Sequence, residues 1–227
     1  MTPEARFHSY VVAGTIGVMF FVVFYILPKA APHSGSEKAA ISAIAILGSF
    51  GFYRLLAVAL SWLGNRWLPL QKFLLGPEFV GGTWIGKLRT KTGRKTYIVE
   101  HYEQTLSSLV IRGRSFKPNR ELDATWHTHS AQIDAKTGVL YVFYATNVAR
   151  KNYSVEGIGR LEFDRERPDA GPKTMSGYSI DSDAGLEIAA DESIKIIYEE
   201  LHKLDDRLIP MKEAKTRAFD RYAERSA

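Results

Sequence analysis

Between Phe7 and Pro28 the chain runs for 22 residues without an Asp, Glu, Lys or Arg. At about 1.5 Å per residue, a helix of that length reaches about 33 Å, the thickness of a hydrocarbon core. A helix apolar on every side for so long does not fit the core of a small soluble domain. The segment is therefore expected to span a membrane. A cleaved signal peptide is the competing reading. Its apolar stretch is shorter, roughly 7–15 residues, and ends at a small-residue cleavage site. Ala30-Ala31 makes a poor site of that kind.

A second apolar run, Ala39–Leu63, reads as another span, interrupted by Arg54. An arginine at the bilayer centre costs roughly 2.5–3.5 kcal/mol on the insertion scale. The surrounding Ile, Leu, Val and Phe offset that cost. Arg54 either lines a path between assembled helices or snorkels to the nearer interface. The link Lys29–Lys38 is short enough to force a two-helix hairpin with both chain ends on one side. Arg6, Arg66 and Lys72 flank that side, so the positive-inside rule favours cytoplasmic ends. Trp62 and Trp67 read as interfacial anchors, and Trp67–Leu75 as a surface-lying linker. Gly14, Gly17, Gly48 and Gly51 would let helices approach closely, so these glycines and Arg54 are the candidate assembly residues.

Charge is segregated along the chain. Residues 1–77 hold six of the 30 Lys/Arg and two of the 25 Asp/Glu. The sequence has no cysteine, which excludes a disulfide scaffold, a thiol nucleophile and a Cys-ligated metal. After Gly76-Pro77, segments of period two follow one another, bounded by turn residues. Strands are expected over Thr83–Thr90, Thr96–Glu103, Ser108–Ser115, Leu122–Gln132, Val139–Asn147, Val155–Asp164, Thr174–Ile180 and Gly185–Ile188. Eight strands with no intervening helix point to an all-β antiparallel barrel. The last segment is expected to be an amphipathic helix. Asp191 caps it, Ile194, Ile197, Tyr198, Leu201, Leu204 and Leu208 share one face, and Pro210 stops it. That stripe would pack on the barrel or on a neighbouring copy. The expected organisation is a two-transmembrane hairpin and linker at 1–77, a barrel at 78–190 and a helical tail at 191–227.

No phosphate loop, serine-hydrolase elbow or zinc-protease motif occurs. Gly82-x-Trp84-x-Gly86 reads as barrel closure, with a large ring between residues small enough for close backbone approach. His127-x-His129 sets two imidazoles on one strand face, with His101 on another strand. Such a set would hold a metal, touch a ligand or be surface histidines. Between Lys87 and Arg120 lie nine bases, opposed within that stretch only by Glu100 and Glu103. Aromatics flank several of them. This composition suits a phosphate-bearing ligand, an anionic lipid surface or a solvated face. Leu109 and Ile111 share one strand face, and Arg112 and Arg114 the other. If the first face is core, the arginines sit on the outer wall or at a mouth.

Several marks, in order, resemble the two-transmembrane, β-strand-rich effectors of CBASS, the bacterial cyclic-oligonucleotide-based antiphage signalling systems. They are Gly82-Thr83-Trp84-Ile85-Gly86, Glu103-Gln104-Thr105 before Leu109–Arg112, Gly138–Tyr144 with Asn147, Glu156-Gly157-Ile158-Gly159-Arg160-Leu161, and Gly177–Asp181 with Gly185-Leu186. The resemblance covers about residues 10–190. Two departures stand out. Leu106 occupies a position where the family prefers Trp, and Arg112-Gly113-Arg114-Ser115-Phe116 replaces a Ser-rich stretch. The tail from Asp191 falls outside the resemblance.

The resemblance implies a sensor-effector of the bacterial inner membrane, with both termini and the barrel cytoplasmic. A cyclic di- or trinucleotide would be its activating ligand, bound by the barrel. The chain would oligomerise in the bilayer, disrupt it and kill the infected cell. No reaction, metal or other cofactor is required, and no DNA or RNA partner is expected. Arg112, Arg114, His127, His129, Tyr141, Asn147 and Tyr178 are the candidate ligand-binding residues. The alternatives are a membrane-tethered, lipocalin-like carrier of an apolar ligand or lipid, and an anchored His-metal hydrolase.

Overall fold

A computed structural model describes residues 3–26, 35–90, 93–148, 154–165, 167, 170–182 and 194–222. The chain divides into two compact units, Met1–Leu75 and Gly76–Ala227.

The first unit is helical. Helix α1 (Pro3–Phe21) continues through a π-helical turn over Val22–Ile26. Helix α2 spans Gly35–Arg66 and helix α3 spans Leu68–Leu75. Pro69 sits in the first turn of α3, where a missing N–H costs nothing. The helices pack together. His8 Nδ1 lies 2.8 Å from the Tyr53 hydroxyl, and the Tyr10 and Phe73 rings are 5.2 Å apart. A Cβ on Gly14 would lie 2.9 Å from Leu56, so this glycine serves the packing of α1 on α2.

Ala5–Ile26 is long and apolar enough to cross a membrane, and its side chains are largely exposed, Ile16, Phe20, Phe21, Phe24 and Tyr25 among them. Among the described residues it is the one such helix, whereas two spans were expected. The expected second span falls within α2, a helix that also carries Glu37, Lys38, Arg54 and Arg66. Lys29–Ser34 of the expected link lies outside the described residues.

The second unit is a closed barrel of eight antiparallel strands in sequence order. The strands are β1 (Gly82–Thr90), β2 (Lys95–Gln104), β3 (Leu109–Phe116), β4 (Leu122–Asp134), β5 (Val139–Val148), β6 (Ser154–Asp164), β7 (Thr174–Ser182) and β8 (Ile194–Asp205). The first seven match the period-two segments of the sequence to within two residues at either end.

Closure lies between β1 and β8. Here the Gly82-x-Trp84-x-Gly86 motif has its physical meaning. A Cβ on Gly86 would fall 2.4 Å from the Glu200 carbonyl oxygen, and Gly82 has φ +124°, a conformation that favours glycine. Trp84 between them points inward, fully buried, with its Nε1 donating to the Val80 carbonyl at 2.8 Å. Gln104 fastens the entering chain. Its Oε1 accepts from the Val80 and Gly81 N–H groups, and its Nε2 donates to the Glu78 carbonyl.

The C-terminal segment corrects the sequence reading. Ile194–Asp205 is the eighth strand, where a helix over about 191–209 was expected. The expected strand at Gly185–Ile188 lies outside the described residues. The cause of the misreading is a bulge. Opposite Leu88 and Lys87 the register jumps from Tyr198 to Glu200, and opposite Gly177 and Met175 it jumps from Tyr198 to Leu201. Tyr198 and Leu201 therefore both face the core three positions apart, which imitates helical spacing. The barrel accordingly ends at Asp205, past the expected boundary at 190.

The helix begins after Pro210. Helix α4 (Met211–Tyr222) places Ala214, Ala218, Phe219 and Tyr222 against Ile85, Tyr97, Val99 and Phe116 on the outer wall of β1–β3. Burying each large side chain there contributes about 1.5–3 kcal/mol.

Candidate functional site

The barrel interior is apolar along its length, with a polar cluster set into it. Where the chain enters, Val80, Trp84, Tyr102, Leu140, Leu161, Phe163, Met175 and Leu201 form a dense apolar plug. From the midsection onward polar side chains join the apolar lining of Leu88, Ile98 and Val155. Thr128, Thr146 and Ser179 are buried there beside two carboxylates, Glu100 and Asp181.

Glu100 is 2% exposed. It sits on β2 in phase with Ile98 and Tyr102, so the strand's alternation turns it inward. Tyr102 donates from its hydroxyl to Oε2 at 3.0 Å, and Trp126 donates from Nε1 to Oε1 at 2.9 Å. Burial outweighs these two bonds and lifts the Glu100 carboxyl to about 7. Across the interior, Tyr144 donates to Asp181 Oδ1 at 2.6 Å. Ser179 hydrogen-bonds both Tyr144 and Tyr198, and burial holds both phenols protonated, well above their ordinary range. Two glycines make room for the rings. A Cβ on Gly113 would overlap Trp126 at 2.0 Å, and one on Gly157 would meet Tyr144 at 2.5 Å. The cluster thus presents aromatic faces beside carboxylate acceptors, a chemistry suited to a planar ligand rich in N–H donors. At the far end the β1–β2 and β3–β4 turns carry Arg94, Lys117 and Arg120, and β2 begins with Lys95.

The seven candidate ligand residues lie elsewhere, on the outer wall of β3–β7. Arg112 stands opposite His127, and Arg114 opposite Thr125, itself opposite Asn147. Tyr141 stands opposite Arg160, and Arg160 opposite Tyr178. The His127 and His129 rings lie 5.3 Å apart, and His129 lies 5.4 Å from Phe143. Arg112 pairs with Glu103 at 3.5 Å while 65% exposed. The seven are spread over the convex exterior in separate rows, rather than gathered in the lumen. Among the described residues no group of three His, Cys, Asp or Glu could hold a metal ion. His101 faces outward on β2, opposite Arg112.

The sequence reading missed Glu100, Trp126, Tyr144, Ser179, Asp181 and Tyr198. The signal was present for most of them. Trp126 alternates in phase with Thr128, and Tyr144 with Leu140 and Val142, so strand parity alone assigns them to the core face.

In the helical unit, a Cβ on Gly14 would meet Leu56, whereas a Cβ on Gly17, Gly48 or Gly51 would meet nothing within 4 Å. Arg54 lines a shallow groove along α2 with Gly51, Leu55, Val58, Ala59 and Trp62. A scan against protein-family models finds no match to this chain, and a search of curated proteins finds none either.

Proposed function

We propose that this chain is a membrane-anchored sensor-effector whose barrel binds a cyclic oligonucleotide inside its far half. The reading rests on the resemblance of the ordered motifs to the CBASS effectors. The observation that carries it is the polar, aromatic cluster around Glu100 and Asp181, in the same chain as an apolar helix fit to cross a bilayer. The carboxylates would accept from nucleobase N–H groups, and Trp126, Tyr144 and Tyr198 would offer stacking surfaces. Phosphates would stay toward the mouth, near Arg94, Lys95 and Lys117. This assignment moves the ligand from the outer wall into the lumen.

Ala39–Leu63 would then form the second span of a hairpin, with both ends and the barrel cytoplasmic at the bacterial inner membrane. The open faces at Gly17, Gly48 and Gly51 would meet neighbouring copies, and Arg54 would line the assembled path. Ligand would drive assembly only if it binds the assembled state more tightly than the monomer. Bilayer disruption would end the infection by killing the cell.

Calorimetric titration of the full chain in detergent against a panel of cyclic di- and trinucleotides tests the reading. Binding is expected for at least one compound, and Glu100→Gln and Asp181→Asn should each weaken it about tenfold or more. Absence of binding across the panel would sink the reading. Binding lost in Arg112→Ala with Arg114→Ala, yet kept in both lumen variants, would return the ligand to the outer wall.

The closed barrel and its G-x-W closure also suit a lipocalin-like carrier of an apolar ligand. In this chain, however, the apolar end of the lumen is already filled by Trp84, Phe163 and Met175.

A further inference from the structure

The outer wall of the barrel has two faces. Over β1–β3 the chain's own helix α4 covers Ile85, Tyr97, Val99 and Phe116. Over β4–β7 Tyr141, Phe143 and Ile158 are exposed by 47%, 37% and 58%, and register sets them side by side. Phe143 stands opposite Ile158, and Ile158 opposite Ile180. A contiguous apolar patch of this kind on a soluble face marks an interaction site.

The charges around the patch say what covers it. One row across the wall reads Arg112, His127, Ala145, Glu156, each opposite the next. Its basic end is on β3 and its acidic end is on β6. The strands of that row span three gaps, about 14 Å in all. Take a two-fold axis running along the strands between β4 and β5. It lays Arg112 of one copy over Glu156 of the other, twice, at the same level. The next row lays Ser130 over Phe143 beside the axis, and Ile158 on β6 over β3. The row from Arg112 to Glu156 is therefore complementary to itself in charge, with each Arg112 turning from Glu103 of its own chain toward Glu156 of the other, which suits an isologous interface.

We propose that the outer wall of β3–β6 docks a second copy of this chain about that axis, with Phe143 beside the axis and Ile158 and the reciprocal Arg112–Glu156 pairs on the outer strands. The membrane segment would hold copies at high effective concentration and so favour such a contact. The proposal does not depend on which ligand the barrel binds.

The absence of cysteine makes the test clean, because any introduced thiol is unique. In native membranes carrying the full chain, Ser130→Cys, near the axis, should form a disulfide-linked dimer under mild oxidation. Thr216→Cys, exposed on α4, should not. In the Ser130→Cys background, Arg112→Glu and Glu156→Arg should each lower the cross-linked fraction about tenfold, because each sets like charges together at both edges. The double exchange should restore it. Circular dichroism of the purified variants should be unchanged, since both positions are exposed. Equal cross-linking at Ser130 and Thr216, or a double exchange no better than either single one, would overturn the proposal. A Ser130→Cys thiol shielded from maleimide yet not cross-linked would also overturn it, since another molecule would then cover the wall.

Discussion

At the entry end of the barrel, Trp84 lies wholly buried against Tyr102, with ring centroids 5.5 Å apart. One strand away, Glu100 is buried just as deeply. The same alternating strands build both places, yet they do opposite things. The apolar plug gains free energy from every side chain it buries. The polar cluster spends some of that gain on two carboxylates, and the groups in direct contact with Glu100 are hydrogen-bond donors rather than a cation. A fold needs the first arrangement for stability, whereas the second makes the cluster a candidate site.

The difference is open to measurement by unfolding the full chain in detergent. The largest effect is expected at the plug. Trp84→Ala removes the ring that closes the β1–β8 seam, and should cost about 3–5 kcal/mol. A loss under about 1 kcal/mol would deny the plug its structural role.

Next comes Glu100. Its carboxyl rises from 4.5 to about 7 on folding, so the folded state holds a proton that the unfolded chain has released. Below pH 4.5 both states are protonated and the group is neutral in effect. As pH climbs to 7 the stability should fall, by on the order of 3 kcal/mol in all, and then level off. Glu100→Gln should abolish that slope and leave the protein more stable than the parent at pH 8. An unchanged slope would mean that another group titrates.

Gly157→Ala should cost about 1–3 kcal/mol, because its Cβ would strike the Tyr144 ring and displace it from Asp181. The same variant should also weaken ligand binding, which sharpens the contrast with the plug. The smallest effect belongs to the outer wall. Arg114 is exposed on β3, and Arg114→Ala should shift stability by no more than about 0.5 kcal/mol. A larger shift would mean that the convex wall, too, is built for something within the single chain.

Much of this was legible before any coordinates. The uncharged run after Arg6 marks a helix long and apolar enough to cross a membrane, because 22 residues without a charge leave it no polar face. Seven strands stand where alternation puts them, because each has one face in the core and one outside. The same alternation separated Leu109 and Ile111 from Arg112 and Arg114, and the arginines do face outward. The candidate site was less legible. Bases and aromatics drew attention to the outer wall because charge is conspicuous in a sequence. A lone Glu100 among apolar neighbours is not, although its phase with Ile98 and Tyr102 already turned it inward.

Composition and period thus determined the apolar helix, the antiparallel barrel and the facing of most side chains, since these follow from contacts each residue makes with solvent or core on its own strand. The tertiary structure decided the rest. The bulge at Glu199–Glu200 exists because β8 must keep register with β1 and β7 at once, and it disguised a strand as a helix. The cover over β1–β3 comes from α4, more than 90 residues beyond the residues it protects. The bond from Trp126 to Glu100 and the bond from Tyr144 to Asp181 join residues 26 and 37 apart. Such pairings depend on how the sheet closes on itself, and closure is a property of all eight strands together rather than of any one of them.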